Sequence, residues 1–168
     1  DLYVRKILSK LCNAKIVHSK DTIKRMQKLG FDIRNTYVIP HGNYINSYKN
    51  NITKNVATKI FKFNKKDFIF LFFGVIDKYK GIDTLLKAFK QLTKSRKNVR
   101  LLIAGKCPNK DLNLLLDKYK EELESKLKLN IHFIEENKVQ YYFNCVDIVV
   151  YSFKKITTSG SVILALSF

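Results

Sequence analysis

Long apolar runs and closely spaced cysteines are both missing from this sequence, and each absence excludes a class of protein. No apolar run approaches the ~20 residues that a membrane-spanning helix needs. The three cysteines, Cys12, Cys107 and Cys145, lie far apart and form no Cys-x-x-Cys pair. Because an odd and dispersed set is a poor basis for a disulfide framework or a zinc site, we expect a protein of a reducing compartment.

Neither end of the sequence has the features of a natural terminus. The chain begins at Asp1 rather than Met, and its first residues lack the apolar core and the cleavage site of a signal peptide. At the other end, an apolar helical pattern over 161–168 stops without a capping residue. We therefore expect these 168 residues, about the size of one domain, to be a segment of a longer protein.

Acidic residues are also scarce, so the chain is strongly basic. Lys and Arg number 32 against 14 Asp and Glu, which gives a formal charge of +18. Such a charge suits nucleic acid, anionic lipid or a phosphorylated ligand. Arginine, however, which recognises bases and phosphates with two parallel hydrogen bonds, is rare, and lysine is spread along nearly every segment. We expect no nucleic-acid partner and a solvated basic surface, which is compatible with an anionic membrane.

The apolar residues, 46% of the chain, recur in a pattern that alternates strands with helices. A polar stretch over 43–55 has little periodicity and is predicted to be a linker. The predicted strands cover 14–17, 36–39, 68–73, 99–104, 131–134 and 146–151, and the predicted helices cover 2–11, 21–29, 82–92, 112–127, 138–143 and 161–168. This alternation predicts an α/β fold, with a parallel sheet that carries helices on both faces.

The loop from Gly74 to Gly81, here called the lysine loop, follows a strand that is apolar throughout. In an open parallel sheet, ligands bind where such strands end. Gly74 allows a sharp turn, and Lys80 lies beside the start of the next helix, where free N–H groups attract anions. Lys80 could hold a diphosphate there, although a plain turn with a solvated lysine explains the loop equally well. The spacing fits neither a P-loop nor Gly-x-Gly-x-x-Gly.

A second loop, Thr157-Thr158-Ser159-Gly160-Ser161, here called the serine loop, places several hydroxyls and a glycine before an apolar helix. Any one hydroxyl could simply cap that helix. Several of them with a glycine, at the end of a strand, favour a site for phosphate oxygens.

Isolated polar residues give weaker signals. His18 and His41 both follow apolar strands and are candidates for one cleft, whereas His132 alternates with apolar neighbours and is predicted on the outer face of a strand. Asp147 opens a strand and is expected to cap or pair locally. No Ser-His-Asp set and no metal cluster has convincing spacing.

The order and spacing of seven short segments resemble one known family. These segments are Ile16-Val17-His18-Ser19, Val38-Ile39-Pro40-His41-Gly42, Phe72-Phe73-Gly74, Lys80-Gly81-Ile82-Asp83-Thr84-Leu85-Leu86, Leu101-Leu102-Ile103-Ala104-Gly105, Asp147-Ile148-Val149-Val150 and Thr157-Thr158-Ser159-Gly160. Together they resemble glycosyltransferase family 4, which has the GT-B fold, and chiefly its C-terminal domain. The last two resemble a subgroup that builds bacterial surface polysaccharides.

The resemblance implies a division of the chain into three parts. Residues 1–42 would end an N-terminal Rossmann-like domain and enter the linker, with a hinge at Pro40, His41 and Gly42. Residues 43–66 would complete the linker and start the next domain. Residues 67–168 would form most of a nucleotide-sugar-binding Rossmann-like domain, one half of a GT-B fold.

The resemblance also implies a function and a set of ligands. The enzyme would transfer a sugar from a UDP- or GDP-sugar to a glycan or lipid-linked acceptor, with retention, in the cytoplasm and at the inner face of the membrane. It would need no cofactor and no metal, because fixed donors stabilise the leaving diphosphate. The segment alone would bind nucleotide without turning it over, since the acceptor-binding half is almost wholly missing.

The same resemblance assigns the binding residues, although it identifies no catalytic residue. The diphosphate would contact Gly74, Lys80, Gly81, Thr158, Ser159, Gly160 and Ser161. The base or the ribose would contact Phe133, Ile134, Glu135 and Val139.

Two departures from the family pattern leave alternatives open. Val75 stands where the family often has Arg, a loss for which Lys78 could compensate, and Ile156 and Leu164 stand where many members have glutamates. These departures favour a non-catalytic binding module of the same fold as the first alternative. The second alternative is a basic nucleic-acid-binding α/β protein, which only the net charge supports.

Overall fold

The computed structural model describes residues 1–168 and contains two parallel sheets. The first sheet has two strands. Its elements are helix α1 (Leu2–Leu11), strand β1 (Lys15–Val17), helix α2 (Lys20–Lys28) and strand β2 (Thr36–Val38). Strands β1 and β2 pair in parallel, with Lys15 opposite Thr36. The order of elements and the parallel pairing agree with the predicted α/β class.

The second sheet has four strands and occupies the rest of the chain. Its elements are α3 (Lys54–Ile60), β3 (Phe68–Phe73), α4 (Ile82–Ser95), β4 (Val99–Ala104), α5 (Lys110–Leu123), β5 (Leu127–Asn130), α6 (Glu136–Asn144), β6 (Ile148–Val149) and α7 (Gly160–Ala165). The spatial order is β5-β4-β3-β6, and all neighbours are parallel. No helix in the chain has both the length and the apolar character needed to cross a membrane.

Side chains alternate along β3 and β4 and so build a core on each face of the sheet. On one face, Phe72 and Ile103 pack against the apolar sides of α4 and α5. On the other face, Leu71 and Leu102 pack against α3, α6 and α7. Each fully buried side chain of this size stabilises the fold by about 1.5–3 kcal/mol. Helices on both faces confirm the predicted Rossmann-like arrangement.

The strand predicted over 131–134 was wrong, because the preceding helix ends earlier than its leucines suggest. Leu123 and Leu127 are four residues apart, a spacing that continues a helical pattern. Helix α5 instead ends at Leu123, a single 3-10 turn follows at Glu124–Lys126, and Leu127 starts β5 opposite Leu101. His132, predicted on a strand, lies exposed in the loop after β5.

Two smaller differences concern short elements. Helix α3, which was not predicted, begins after Thr53, whose hydroxyl accepts a hydrogen bond from the Val56 amide. Ala57 of this helix is fully buried against the sheet, and that contact holds an otherwise polar segment in place. Strand β6 is shorter than the predicted 146–151, because only two of its residues pair regularly with β3.

Asp147 fastens the start of β6 to β3 and provides a test of the fold. Its carboxylate accepts a hydrogen bond from the Ile69 amide at 2.7 Å and pairs with the Lys54 ammonium. Asp147→Ala leaves that buried amide without its acceptor, so we expect the free energy of unfolding to fall by about 1–3 kcal/mol in urea titrations.

The matched control is Asp111→Ala. This exposed carboxylate lies 3.7 Å from the Lys78 ammonium, so its loss should change the stability by less than about 0.5 kcal/mol. Equal effects of the two substitutions would contradict the role of Asp147.

Candidate functional site

The four-stranded sheet reverses its direction of growth at β3, which places a crevice at the ends of two strands. Strands β4 and β5 follow on one side of β3, whereas β6 lies on the other side. The carboxyl ends of strands at such a reversal are where open α/β sheets bind ligands. The lysine loop follows β3 and the serine loop follows β6. The topology therefore brings the two loops to one point.

Lys80 and Ser161 meet between the two loops. The Lys80 ammonium donates a hydrogen bond to the Ser161 hydroxyl at 3.3 Å, and Lys80 is only 4% exposed. None of the ion pairs in the structure involves Lys80. Burial lowers the pKa of this ammonium, and the charge of Asp77 offsets part of that effect. The site thus holds a buried cation that forms no ion pair with a carboxylate.

Gly74 leaves space beside that cation. Its φ is +108°, and a Cβ built on it would lie 3.0 Å from the Ser161 Oγ and 3.2 Å from the Lys80 Nζ. Any side chain at this position would fill the space beside both groups. Only the absence of a Cβ leaves room there for a ligand oxygen.

Gly81 lets the two loops touch. Its φ is +68°, and a Cβ there would lie 1.9 Å from the Ser152 carbonyl oxygen. The Ser152 hydroxyl donates to the Gly81 carbonyl at 2.6 Å. The Tyr151 hydroxyl adds a second link, since it lies 3.1 Å from both the Phe73 and Ser161 carbonyls, and burial raises its pKa. The segment after β6 is therefore fixed against the lysine loop.

The predicted hydroxyls of the serine loop take different positions. Ser159 caps α7 by accepting a hydrogen bond from the Val162 amide at 3.3 Å, which is the plain capping role that the sequence left open. Ser161 is the hydroxyl beside Lys80, and Gly160 lies between these two serines. Thr157 and Thr158 are exposed and make no hydrogen bond to another residue. The structure thus brings Ser161 together with Lys80 and leaves the threonines at the surface.

A cleft of about 270 Å³, here called the aromatic cleft, opens next to Gly74. Its wall is formed by the ends of β3 and β4, the loop after β5 and the start of α6. The lining residues are Tyr48, Phe73, Gly74, Val75, Gly105, Lys106, Phe133, Ile134, Glu136 and Val139. Because Gly74 belongs to this wall and also borders Lys80 and Ser161, the cleft and the lysine are continuous.

Three of the four residues predicted to hold a base line the aromatic cleft. Phe133 presents a ring that is 74% exposed, while Ile134 and Val139 are buried. Glu135 does not line the cleft and pairs with Lys138 at 3.2 Å instead. Its neighbour Glu136 takes the place in the wall, because consecutive residues at a helix start point in different directions.

The backbone of Ile134 offers both a donor and an acceptor at the cleft. Neither its N–H nor its C=O takes part in a hydrogen bond within the protein. A free amide donor beside a free carbonyl acceptor matches the hydrogen-bonding edge of a nucleobase. The cleft therefore combines an aromatic surface with unpaired backbone groups, which suits a flat heterocycle.

Sequence reasoning missed several residues of the cleft, among them Lys106 and Tyr48. Lys106, an exposed cation, follows Gly105 at the end of β4 just as Val75 follows Gly74 at the end of β3. This equivalent position after a strand-ending glycine could have identified Lys106 from the sequence. Tyr48 lies in the polar stretch before α3, where nothing in the residue pattern marked it. Only the path of the backbone brings it to the cleft.

The predicted hinge lies close to the serine loop. The ring of His41 is 5.4 Å from that of His18 and 5.6 Å from that of Tyr44. A Cβ built on Gly160 would lie 3.3 Å from the His41 Nε2. Gly42 has open space around its Cα, and Pro40 is exposed after β2. The structure thus brings the two histidines together, beside a predicted diphosphate contact.

The three apolar residues that depart from the family pattern differ in their exposure to solvent. Val75 is exposed in the wall of the aromatic cleft, and Lys78 pairs with Asp111 instead of facing the cleft. Ile156 is exposed, whereas Leu164 is buried in the core on the α7 face. No group of three or more His, Cys, Asp or Glu side chains is placed to hold a metal ion.

Sequence comparison gives one family match. The family model described as Glycosyl transferases group 1 matches residues 54–164, which is more than half of the chain. No curated protein sequence matches.

Three solved structures illustrate the similarity of fold. HepE from Anabaena, in complex with UDP and glucose, has a TM-score of 0.76 and 20% identity, with 96% of this chain and 44% of that chain covered. WaaG, a glycosyltransferase involved in lipopolysaccharide biosynthesis, has a TM-score of 0.67 and 17% identity, with coverage of 83% and 38%. A glycosyltransferase from Rickettsia africae has a TM-score of 0.66 and 16% identity, with the same coverage. The chain spans less than half of each, and the likeness is one of fold.

The buried charge of Lys80 predicts a gain in stability when it is removed. Folding lowers the pKa of this ammonium, which means that the buried charge destabilises the folded chain. This destabilisation is present in full below the folded-state pKa and disappears as the pH approaches the ordinary value of 10.5. We expect Lys80→Met to raise the free energy of unfolding near neutral pH by about 1 kcal/mol, and less at alkaline pH.

Lys78→Met is the matched control, because the Lys78 side chain is 67% exposed. It should change the stability by less than about 0.5 kcal/mol at either pH. A Lys80→Met gain that stays constant up to alkaline pH would point to packing and not to charge.

Proposed function

The chain belongs to the group 1 glycosyl transferases, and from this premise we propose that it forms the donor-binding part of an enzyme that transfers a sugar from a nucleoside diphosphate sugar. The observation that carries the proposal is the buried ammonium of Lys80. It has no carboxylate partner, contacts Ser161, and lies beside the space that Gly74 leaves open. A buried, uncompensated cation is costly, and an anionic ligand removes that cost.

The diphosphate is the ligand that fits this position. During transfer the bond between the sugar and the diphosphate breaks, so negative charge grows on the leaving phosphate while the sugar becomes oxocarbenium-like. Lys80 would stabilise that growing charge, and the Ser161 hydroxyl would donate to a phosphate oxygen. Because the two groups are held in place by the contacts of Gly81, Ser152 and Tyr151, they need little rearrangement during the reaction.

The nucleoside would occupy the aromatic cleft. Phe133 supplies a surface for stacking, and the free N–H and C=O of Ile134 supply hydrogen bonds to the edge of the base. Gly74 borders both the aromatic cleft and the Lys80–Ser161 pair, so a nucleotide could pass beside it with its base in the cleft and its diphosphate at the lysine. HepE, whose fold this chain shares, was solved with UDP and glucose, and this supports a UDP-sugar as the first donor to test.

The acceptor and the cellular setting are further parts of the proposal. We propose a glycan or lipid-linked acceptor, transfer with retention, and a role in bacterial surface polysaccharide synthesis. The family resemblance supports these features, as does the involvement of WaaG in lipopolysaccharide biosynthesis. The net charge of +18 favours a position at the cytoplasmic face of an anionic membrane. No metal and no cofactor enter the proposal, since Lys80 supplies the positive charge.

A second candidate function is that of a nucleotide-sugar-binding module without activity. It is favoured by Leu164, which is 8% exposed and packs in the core where many relatives have a glutamate. Both candidates predict donor binding. Sugar transfer or donor hydrolysis by the intact protein would separate them, because a non-catalytic module would show neither.

Calorimetric titration with UDP, GDP and ADP at low and moderate salt tests donor binding. We expect selective binding of one nucleotide that persists at moderate salt, because a shaped cleft contributes contacts that salt does not screen. Lys80→Ala should weaken the binding of UDP by about 1–3 kcal/mol, or roughly 5- to 150-fold, through the loss of a charge-assisted contact. Ser161→Ala should weaken it in the same direction and by less.

Lys78→Ala is the control for net charge, since it removes an exposed cation two residues from Lys80. It should leave the affinity for UDP within about twofold. Equal, weak binding of all three nucleotides that disappears with salt would refute a donor site and favour the basic-surface alternative.

The lowered pKa of Lys80 also predicts how the affinity depends on pH. The diphosphate needs the protonated lysine, so affinity should be constant below the free-state pKa and fall as the pH rises through it. The decline should therefore begin below the ordinary lysine value of 10.5. The quantity to follow is the ratio of the UDP affinity to the uridine affinity, which cancels the titration of the base itself.

Lys80→Arg supplies the control for this pH dependence. A guanidinium does not deprotonate in this range, so the ratio should lose its slope whatever its absolute level. An unchanged slope in Lys80→Arg would show that another group titrates.

A further inference from the structure

We propose that the segment from His41 to Tyr48, here called the 41–48 segment, contacts the bound donor at both of its ends. Tyr48 would contact the base and His41 would contact the diphosphate. The inference rests on the proposed function and adds two donor-contacting residues to it. The residue pattern gave no reason to place Tyr48 in a binding site. It marked His41 only as a candidate for a cleft, and the family resemblance marked it as a hinge residue.

The base end of the contact is visible in the aromatic cleft. Tyr48 forms part of its wall, together with Phe133 and Val139. Burial raises the pKa of the Tyr48 hydroxyl, with a smaller contribution from the charge of Glu136, so the phenol stays neutral and its ring presents an uncharged face. An aromatic ring in the wall of a cleft of this size is suited to a nucleobase.

The phosphate end lies where His41 meets the serine loop. The Nε2 of His41 is 3.3 Å from the position of a Cβ on Gly160, and the Tyr44 hydroxyl is 3.2 Å from the same position. The next residue is Ser161, which holds the Lys80 ammonium. Because Gly160 and Ser161 are adjacent in the chain, a phosphate oxygen bound by Lys80 and Ser161 would lie close to the imidazole of His41.

The hydrogen bonding of the imidazole leaves one nitrogen available. The Nδ1 of His41 lies 2.7 Å from the Gly42 carbonyl oxygen, and because a carbonyl only accepts, Nδ1 carries the proton. Nε2 makes no hydrogen bond within the protein and is the atom nearer to Gly160. A protonated imidazole would donate from Nε2 to a phosphate oxygen.

The position of the 41–48 segment is fixed by contacts and is not that of a loose linker. The Tyr44 amide donates to the Ser167 hydroxyl at 3.0 Å, just beyond α7. The ring of Tyr48 lies 5.8 Å from that of Tyr44 and 6.3 Å from that of Phe168. Further along, the Asn51 amide donates to the Gln140 side chain at 3.1 Å. Both candidate contacts are thus presented by backbone that is already ordered against α6 and α7.

Ligand fragments separate the two contacts. We would titrate the chain with uridine and with UDP in the same buffer. Tyr48→Ala should weaken uridine and UDP alike, by about three- to tenfold, because the base is common to both. His41→Ala should weaken UDP by about three- to tenfold and leave uridine unchanged.

Two conservative variants distinguish contact from folding. Tyr48→Phe keeps the ring and should bind both ligands within about twofold of the original chain. Ser47→Ala, in the same segment but exposed and outside the lining of the cleft, should likewise change neither affinity. An equal loss of both ligands in His41→Ala would mean a structural role and would overturn the phosphate contact.

Amide hydrogen exchange of the unmodified chain gives a second readout. Saturating UDP should slow exchange in the peptide that contains 41–48, and uridine should protect its Tyr48 end only. No change in that peptide, while peptides of the lysine loop become protected, would overturn the inference.

The same experiments distinguish a failure of this inference from a failure of the proposed function. If none of UDP, GDP and ADP binds selectively, or if Lys80→Ala binds the selected nucleotide like the original chain, both are wrong. If Lys80→Ala weakens UDP but the Tyr48→Ala and His41→Ala variants bind both ligands normally, only the role of the 41–48 segment is wrong.

Discussion

Strand β3 pairs with a parallel neighbour on each side and carries helices on both faces, so it lies at the centre of the larger sheet. Its six residues, Phe68–Phe73, are all apolar, as a strand buried on both faces requires. The same strand ends at Gly74, whose missing side chain leaves room beside Lys80 and Ser161. The central position of β3 in the sheet therefore also fixes where its end, Gly74, leaves room for a ligand beside the buried lysine.

The buried charge of the site lowers the stability of the fold. Lys80 is held out of water without a carboxylate partner, which lowers its pKa and destabilises the folded chain. The glycines add a second constraint. Gly74, Gly81 and Gly105 all have positive φ, and a Cβ would meet side chains at Gly74 and backbone atoms at Gly81 and Gly105. A buried cation without an ion pair, next to backbone of this kind, is typical of a site that is shaped in advance for a ligand.

Most of the fold could be predicted because its signals are local. The strands at 68–73 and 99–104 have the predicted bounds, since each is apolar, apart from Arg100, and is followed by a glycine. The strand after α5 was misplaced because Leu123 and Leu127 fit a helical spacing, and only the pairing of Leu127 with Leu101 decides that it belongs to the sheet. Helix α3 was missed because its polar sequence is stabilised by the burial of one small residue, Ala57.

For the candidate site, the sequence by itself determined the residue types: two glycine-bearing loops, a lysine, a serine-rich turn and an aromatic segment near Phe133. These follow from local chemistry, because turns need glycine and anions need cations or hydroxyls. Tertiary structure alone decided which of them meet. Parallel pairing around β3 joins Lys80 to Ser161. The tertiary structure also places Glu136 instead of Glu135 in the wall of the cleft, brings Tyr48 from a polar stretch to the same wall, and brings His41 next to Gly160. The physical reason is that contacts between residues distant in sequence depend on how strands cross and pack, which no local pattern records.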